Sequence, residues 1–284
     1  MRTIVTGAAG QLGRDVVDEW FAADRDVFGL DRAGLDLAVD DPHPVLSDLA
    51  PDVVINCAAY TAVDAAEGDP DAAFATNERG VERLAEACRA VGAHLVHVST
   101  DYVFDGTLDR PYVETDPTNP QSVYGRSKLS GERVAADVLG DDVTIVRTSW
   151  VCGEHGGNMV KLILRLAADP DQPLAFVDDQ VGHPTFTADL AVALRRIADE
   201  RPGGVFHVTN RRAVSWYGFV REILGAGGYD PERVRPITTA ELDPPRPAPR
   251  PANSVLANAR WDAAGWSPTR DFAAPLGELV AVLG

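Results

Sequence analysis

The sequence predicts a doubly wound α/β fold of the Rossmann type with a smaller C-terminal α/β lobe. Three observations carry that prediction. A short apolar run, "RTIVT" (2–6), leads straight into a glycine turn, "GAAGQLG", holding Gly7, Gly10 and Gly13. The runs "PDVVINCAA" (51–59) and "AHLVHVST" (93–100) are continuously apolar, as strands of a parallel sheet covered on both faces are. Strand and helix patterns alternate through the first 150 residues.

The elements follow in order. The closing glycines make residues 2–6 a buried strand. From Gln11 to Ala23 the apolar residues Leu12, Val16, Val17 and Trp20 recur at helical spacing. "DVFGL" (26–30) is a second strand, 51–59 a third and 93–100 a fourth. Residues 71–91 and 122–138 read as helices, and "DVTIVRTSW" (142–150) as a fifth strand. The rhythm then loosens. "GGVFHVTN" (203–210) is still a strand and "WYGFVREIL" (216–224) a helix. "PPRPAPRP" (244–251) has too many prolines for a helix interior or a central strand.

The totals narrow the function classes. The formal net charge of −17 is spread along the chain, which argues against a nucleic-acid partner, because phosphate backbones need basic patches. It also fits a surface adapted to high salt, where self-repulsion is screened. No apolar run approaches a membrane span, so no membrane partner is expected. Cys57, Cys88 and Cys152 are an odd, scattered trio without a disulfide framework, and a cytoplasmic protein is the expectation. The six histidines show no metal-ligand spacing and read as structural or surface residues, so no metal is expected.

The glycine turn lies between strand and helix, where free N–H groups and the helix dipole suit a pyrophosphate. Its GxxGxxG spacing differs from the commoner GxGxxG dinucleotide fingerprint. Asp31 ends the second strand, where an acid can accept from an adenosine ribose and favours NADH. Arg32, adjacent, could meet a 2′-phosphate and favours NADPH.

The chain has 24 Arg and only two Lys, Lys128 and Lys161. Lys128 follows Tyr124 by four residues, so on a helix the two share a face. An ammonium beside a phenol is expected to lower the phenol's pKa. Ser99 and Thr100 end the fourth strand, where open α/β sheets place ligands, and a hydroxyl there can hold a carbonyl. Thr100, Tyr124 and Lys128 together read as a proton-transfer set facing a hydride donor.

These residues resemble the extended short-chain dehydrogenase/reductase superfamily and, within it, the dTDP-4-dehydrorhamnose reductase family. The similar stretches include "GAAGQLG", "STDYVFDG", "YGRSKLSGE", "VDDQVGHPTFTADLA" and "RPANSVL", and they span nearly the whole chain. The resemblance implies NADH- or NADPH-dependent reduction of a nucleotide 4-keto-sugar, dTDP-4-dehydro-L-rhamnose. It implies a Rossmann domain over 1–150 and a substrate-binding lobe mainly over 151–284, with part of 185–225 returning to the first. By position, Gly7, Gly10, Gln11 and Leu12 would hold the cofactor diphosphate, with Asp31 at the ribose and Asp36 and Leu37 at the adenine. Ala58, Ala59, Tyr60 and Thr61 would line the path to the nicotinamide. Tyr124 would donate the proton, and Lys128 would bind ribose and tune it. Thr100 and Asp101 would meet the sugar with Trp150 beside it, and because such a substrate brings two phosphates into an acidic protein, Arg246 and Arg250 of the Pro-rich segment are the candidates to meet them. Cys152 stands where an aromatic residue is usual in that family, which bears on pocket shape. A homodimer is among the expected assemblies.

Other readings were weighed against these. Similar nucleotide-sugar dehydratases carry Thr-Asp-Glu where this chain has Thr100, Asp101 and Tyr102. Reductases or epimerases of other nucleotide 4-keto-sugars share the same frame. A non-catalytic regulatory subunit like that of methionine adenosyltransferase resembles the same family, but here the Thr–Tyr–Lys set is complete.

Overall fold

Residues 1–284 are all described by a computed structural model. The first strand, β1 (Arg2–Thr6), feeds α1 (Gln11–Ala22), and β2 (Asp26–Leu30) and α2 (His43–Leu49) follow. Next come β3 (Val53–Asn56), the short helices α3 (Val63–Gly68) and α4 (Pro70–Phe74), a π-helical turn (Ala75–Arg79) and α5 (Gly80–Val91). β4 (His94–Thr100), α6 (Val123–Leu139) and β5 (Val143–Thr148) complete the first unit. The continuous helix expected over 71–91 is thus broken by the π turn. Asn77 sits in that turn, fully buried.

The second half supplies β6 (Val151–Cys152), α7 (Met159–Ala167), β7 (Leu174–Val177), β8 (Val181–Gly182) and β9 (Thr185–Phe186). Then follow α8 (Thr187–Glu200), β10 (Gly204–His207), β11 (Val214–Ser215), α9 (Trp216–Ala226), β12 (Val234–Ile237), α10 (Ala259–Ala263) and α11 (Ala273–Leu283).

Six strands form one parallel sheet in the order β10-β5-β4-β3-β1-β2. β2 and β3 lie on opposite sides of β1, so the order reverses there, and the crevice outside the strand ends at a reversal is where such sheets bind ligands. Both faces are covered. Val16 and Trp20 of α1 pack with Leu190, Leu194 and Ile197 of α8 on one face. Leu84 and Cys88 of α5, Ala135 of α6 and Leu46 of α2 cover the other. Trp20 is anchored further by its indole N–H, which donates to Thr3 Oγ1 at 3.0 Å.

Residues 187–207, α8 and β10, therefore lie on the sheet although they follow the second-lobe segments β6 to β9 in sequence. The remaining C-terminal elements surround a separate core of Val160, Ile163, Phe186, Phe219, Ile223, Phe272 and Leu276. Cys152, 2 % exposed, belongs to that core and lines a cavity of about 170 Å³ with Phe186, Thr187 and Leu279. Its small side chain leaves space inside the lobe. The Pro-rich segment is irregular and runs back to α3, where Arg250 meets Asp64.

α6 approaches the π turn closely. A Cβ at Gly131 would stand 2.0 Å from the Asn77 carbonyl oxygen. Gly131→Ala should therefore lower stability by about 1–3 kcal/mol through overpacking, read as a reduced urea midpoint at unchanged slope. A midpoint equal to that of the parent would mean that the two segments are not held in this contact.

Candidate active site

The helix α1 begins at Gly10 with no side-chain cap and no acidic residue in its first turn. Its first N–H groups are left free for an anion. Gly7 has φ +68°, and a Cβ there would lie 2.7 Å from the Ala58 nitrogen, so the β1 and β3 ends can close together only around a glycine. Beside them is a cavity of about 200 Å³ lined by Gly7, Gly10, Asp31, Arg32, Asp36, Leu37, Cys57, Ala58 and Ala59. This cradle fits a dinucleotide diphosphate.

The side chains of Gln11 and Leu12 point elsewhere. Gln11 donates to the Val151 carbonyl at 3.0 Å and accepts from Asn158 at 2.7 Å, tying α1 to the second lobe. Leu12 is buried in the sheet core. Only their main-chain N–H groups are free for a ligand. Asp31 Oδ1 accepts from the Ala33 and Gly34 nitrogens, both at 3.0 Å, which shapes the turn after β2 and leaves the second carboxylate oxygen outward. Arg32 is mostly exposed and lies 3.7 Å from Asp36. Leu37 is buried against α5. Thr61 is exposed at the loop's edge.

Tyr60 is held by Asn77, whose carboxamide accepts from the Tyr60 nitrogen at 2.9 Å and donates to its carbonyl at 3.0 Å. The same Asn77 nitrogen reaches Ser127 Oγ at 3.0 Å, and Ser127 donates to the Tyr124 carbonyl at 2.8 Å. One buried asparagine thus fixes the 58–61 loop against the helix that carries Tyr124 and Lys128.

α6 starts at Ser122, whose hydroxyl accepts from the Gly125 nitrogen. Tyr124 and Lys128 are both buried. The expected lowering of the Tyr124 pKa by Lys128 is absent here. Burial pushes the phenol well above its ordinary value, against a hydrogen bond with Thr100, and the nearby Asp101 charge pushes it further. Lys128 turns its ammonium to the Val98 carbonyl at 2.7 Å instead. Burial also pushes Lys128 down to about 8, against the pull of Glu132 and Cys57.

Thr100 Oγ1 donates to Asp101 Oδ1 at 3.0 Å and accepts from the Tyr102 nitrogen at 3.2 Å. Asp101 is 2 % exposed, and its Oδ2 has no hydrogen-bond partner. Burial raises it to about 6, against hydrogen bonds from Ser254 and Thr100. Tyr102 meets Tyr124 edge-on at 5.5 Å. Trp150 has φ +44° and stacks on Trp216 with centroids 3.6 Å apart, so one ring face is already covered. Arg250 is paired: its guanidinium grips both oxygens of Asp64, the Nη2–Oδ2 bond being 2.7 Å. Hydrogen bonding from Arg250 holds the Asp64 carboxyl at about 2.

Sequence reasoning does not single out Asn56, Asn77, His97, Glu132 or Arg147. Arg147 carries a signal, as the one charge in an otherwise uncharged buried strand, and Glu132 does so as an acid one turn after Lys128 on the same helix. The asparagines and His97 carried none, because their partners lie far away in sequence. His155 also comes within 3.5 Å of Asp15 and 4.0 Å of Asp18 from across the sequence.

A parallel sheet whose strand order reverses at β1, a glycine cradle and a Tyr–Lys pair on one helix define a Rossmann-type extended short-chain dehydrogenase/reductase. A family model for the RmlD substrate binding domain matches residues 1–284, and the chain belongs to that family. The dTDP-4-dehydrorhamnose reductase of Streptomyces griseus is 47% identical over 285 residues, covering 98% of this chain and 92% of the relative. A solved dTDP-4-dehydrorhamnose reductase from Clostridium acetobutylicum superposes with a TM-score of 0.94 at 41% identity, covering 100% of this chain and 99% of that one. Another, from Bacillus anthracis in complex with NADP, gives 0.93 at 33% identity over 99% and 98% of the two chains.

The buried ammonium has a stability consequence. Lys128 has a folded pKa of about 8, below its unfolded value near 10.5, so between those values the unfolded chain binds more protons. Stability from this group rises with pH through that window, and the full penalty applies below it. Between pH 10 and pH 7 the stability of Lys128→Met relative to the parent should shift in the variant's favour by on the order of 2–3 kcal/mol. Urea titrations at pH 7 and pH 10 test this, and a stability difference that does not change with pH would contradict it.

Proposed function

We propose that this chain reduces the 4-keto group of dTDP-4-dehydro-L-rhamnose to give dTDP-L-rhamnose, using NADH or NADPH. The observation that carries this reading is the grouping around α6. A buried, protonated Tyr124 and Lys128 share one helix face beside Thr100 and the unpartnered Asp101 Oδ2. The same reading is supported by full-length similarity to reductases of that name.

A bound nicotinamide supplies the hydride in this chemistry. Gly7, Gly10 and the main-chain N–H groups of Gln11 and Leu12 would hold its diphosphate. Asp31 and Arg32 would face the adenosine ribose, Asp36 and Leu37 the adenine, and Ala58, Ala59, Tyr60 and Thr61 the nicotinamide side. Thr100 orients the ketone oxygen. Tyr124 gives that oxygen its proton. Its raised pKa keeps the phenol protonated at neutral pH, ready for a developing alkoxide more basic than itself. Lys128 would hold the cofactor ribose. Asp101 and Trp150 contact the sugar. Arg250, tied to Asp64, carries the Pro-rich segment to the nucleotide end.

Asp31 and Arg32 pull in opposite directions, so both dinucleotides are used, NADH at least as well. Asp31→Ala should move the preference towards NADPH, and an unmoved NADH/NADPH ratio would take Asp31 off the ribose. Oxidation of NADH by dTDP-4-dehydro-L-rhamnose, with product stereochemistry read by NMR, tests the activity itself. Tyr124→Phe should lose about 10²–10⁴-fold in kcat/KM. Lys128→Arg should lose a comparable amount while staying folded by circular dichroism, because a planar fork does not replace a compact donor. The double variant should be little worse than either, since the two act as one unit. Thr100→Ala should be milder. A fully active Lys128→Arg enzyme would remove Lys128 from the mechanism.

A further inference from the structure

A row of buried polar side chains runs behind Lys128 and ends at its ammonium. Thr6 Oγ1 donates to Asn56 Oδ1 at 2.7 Å, and the Ala58 nitrogen donates to the same oxygen at 3.1 Å. Two donors, one of them a backbone N–H that cannot reverse its role, fix which end of the Asn56 carboxamide is oxygen. The amide nitrogen of Asn56 therefore faces His97 Nδ1, 3.1 Å away. That nitrogen can only donate, so His97 Nδ1 must accept. His97 is fully buried, and burial, reinforced by the Lys128 charge, keeps its ring neutral. A neutral ring whose Nδ1 accepts carries its proton on Nε2. Nε2 lies 3.4 Å from Lys128 Nζ.

An N–H aimed at an ammonium sets donor against donor. Aimed at a neutral amine, it finds a lone pair. We infer that His97 is a positioning residue for the proposed reduction: held as the Nε2–H tautomer by Asn56, it favours the neutral amine of Lys128. The other groups around Lys128 act differently. Glu132, on the same helix and neutralised by Arg147 of β5, and Cys57, after β3, both favour the ammonium. Tyr124, with Asp101 and Tyr102 beyond it, lies one turn back along α6. His97 is thus the only hydrogen-bonding group at the ammonium that opposes its charge. The consequence is a lysine whose charged form is disfavoured by His97 as well as by burial, next to the residue that donates the proton.

This inference deepens the proposed function and depends on it for its meaning, but its test needs neither substrate nor cofactor. The chain has two lysines, so protein labelled with 13C at lysine Cε gives two signals, and Lys161→Arg identifies the second. Lys128 should titrate near 8 in the parent protein. In His97→Leu the site stays apolar but loses the Nε2–H, and the midpoint should rise by about 0.5–1 pH unit. Burial alone predicts no rise. A histidine that accepted from the ammonium would predict a fall on its removal. An unchanged or lowered midpoint in the folded variant overturns the inference. If His97→Leu does not fold, the 15N shifts of labelled histidine in the parent decide. The Nε2–H tautomer at His97 supports the inference, and the Nδ1–H tautomer overturns it. Activity provides a separate arm. A parent protein that does not turn over dTDP-4-dehydro-L-rhamnose, with the expected NMR shifts intact, would count against the reductase reading and not against the His97–Lys128 contact.

Discussion

The position of α6 in the candidate site depends on one buried ion pair. Arg147 of β5 grips Glu132 of α6 through Nη2–Oε2 at 2.6 Å and Nε–Oε1 at 3.0 Å, and Ser99 of β4 donates to Oε1 at 2.5 Å. Both side chains are about 5 % exposed or less. Such a pair adds little net stability, because desolvating two charges offsets their attraction. Its effect is on register. Glu132 stands one turn after Lys128 and two after Tyr124, so pinning it to two adjacent strands sets both the height and the rotation of α6. Slide the helix by one residue and Tyr124 leaves the ends of β4 and β5 altogether. The Arg147 side chain also lies 5.2 Å from the Phe104 ring, which anchors the loop after Thr100 to the same point.

A second constraint acts from the opposite side. Asn77 in the π turn spans the Tyr60 backbone and Ser127, so the loop between β3 and α3 moves only with α6. A regular α-helix through residues 75–79 would rotate Asn77 away, and the wider turn is what aims it inward. Gly131 lets α6 come close enough for that contact. Helix α6 is therefore clamped between a charge pair under the sheet end and a carboxamide over the loop.

The sequence revealed the fold because its evidence is local. Continuous apolar runs, glycines at strand ends and helical spacing each report on neighbouring residues, and the six-stranded parallel sheet follows from them. The Tyr124–Lys128 spacing is local too. What escaped was long-range. Asn56, His97 and Thr6 are separated by dozens of residues and meet only across adjacent strands. The π turn hid because composition alone favours a plain helix over 71–91. The expected drop in the Tyr124 pKa failed for a related reason. Spacing shows that an ammonium is one turn away, but not that it points at Val98, nor that burial dominates the phenol. Arg250 looked free in a Pro-rich stretch because its partner, Asp64, is on the far side of the chain.

The contrast between 24 arginines and two lysines then has a physical reading. Many arginines here hold two acceptors at once. Arg270 joins Asp189 and Glu278, and Arg212 joins Glu222 and Asp271. A planar fork does that well, and on a chain of net charge −17 each such bridge quiets two carboxylates. Both lysines instead point a compact ammonium at backbone carbonyls. Lys161 reaches the Glu154 and Gly156 carbonyls, and Lys128 reaches Val98. At Lys161 a guanidinium could make the same contacts from an exposed position. At Lys128 it could not. The pocket is closed, and a guanidinium stays charged at any pH the fold survives, whereas an ammonium in this setting can lose its proton. Paired carboxylates suit the fork of the arginines, and a single buried carbonyl suits the compact ammonium of Lys128.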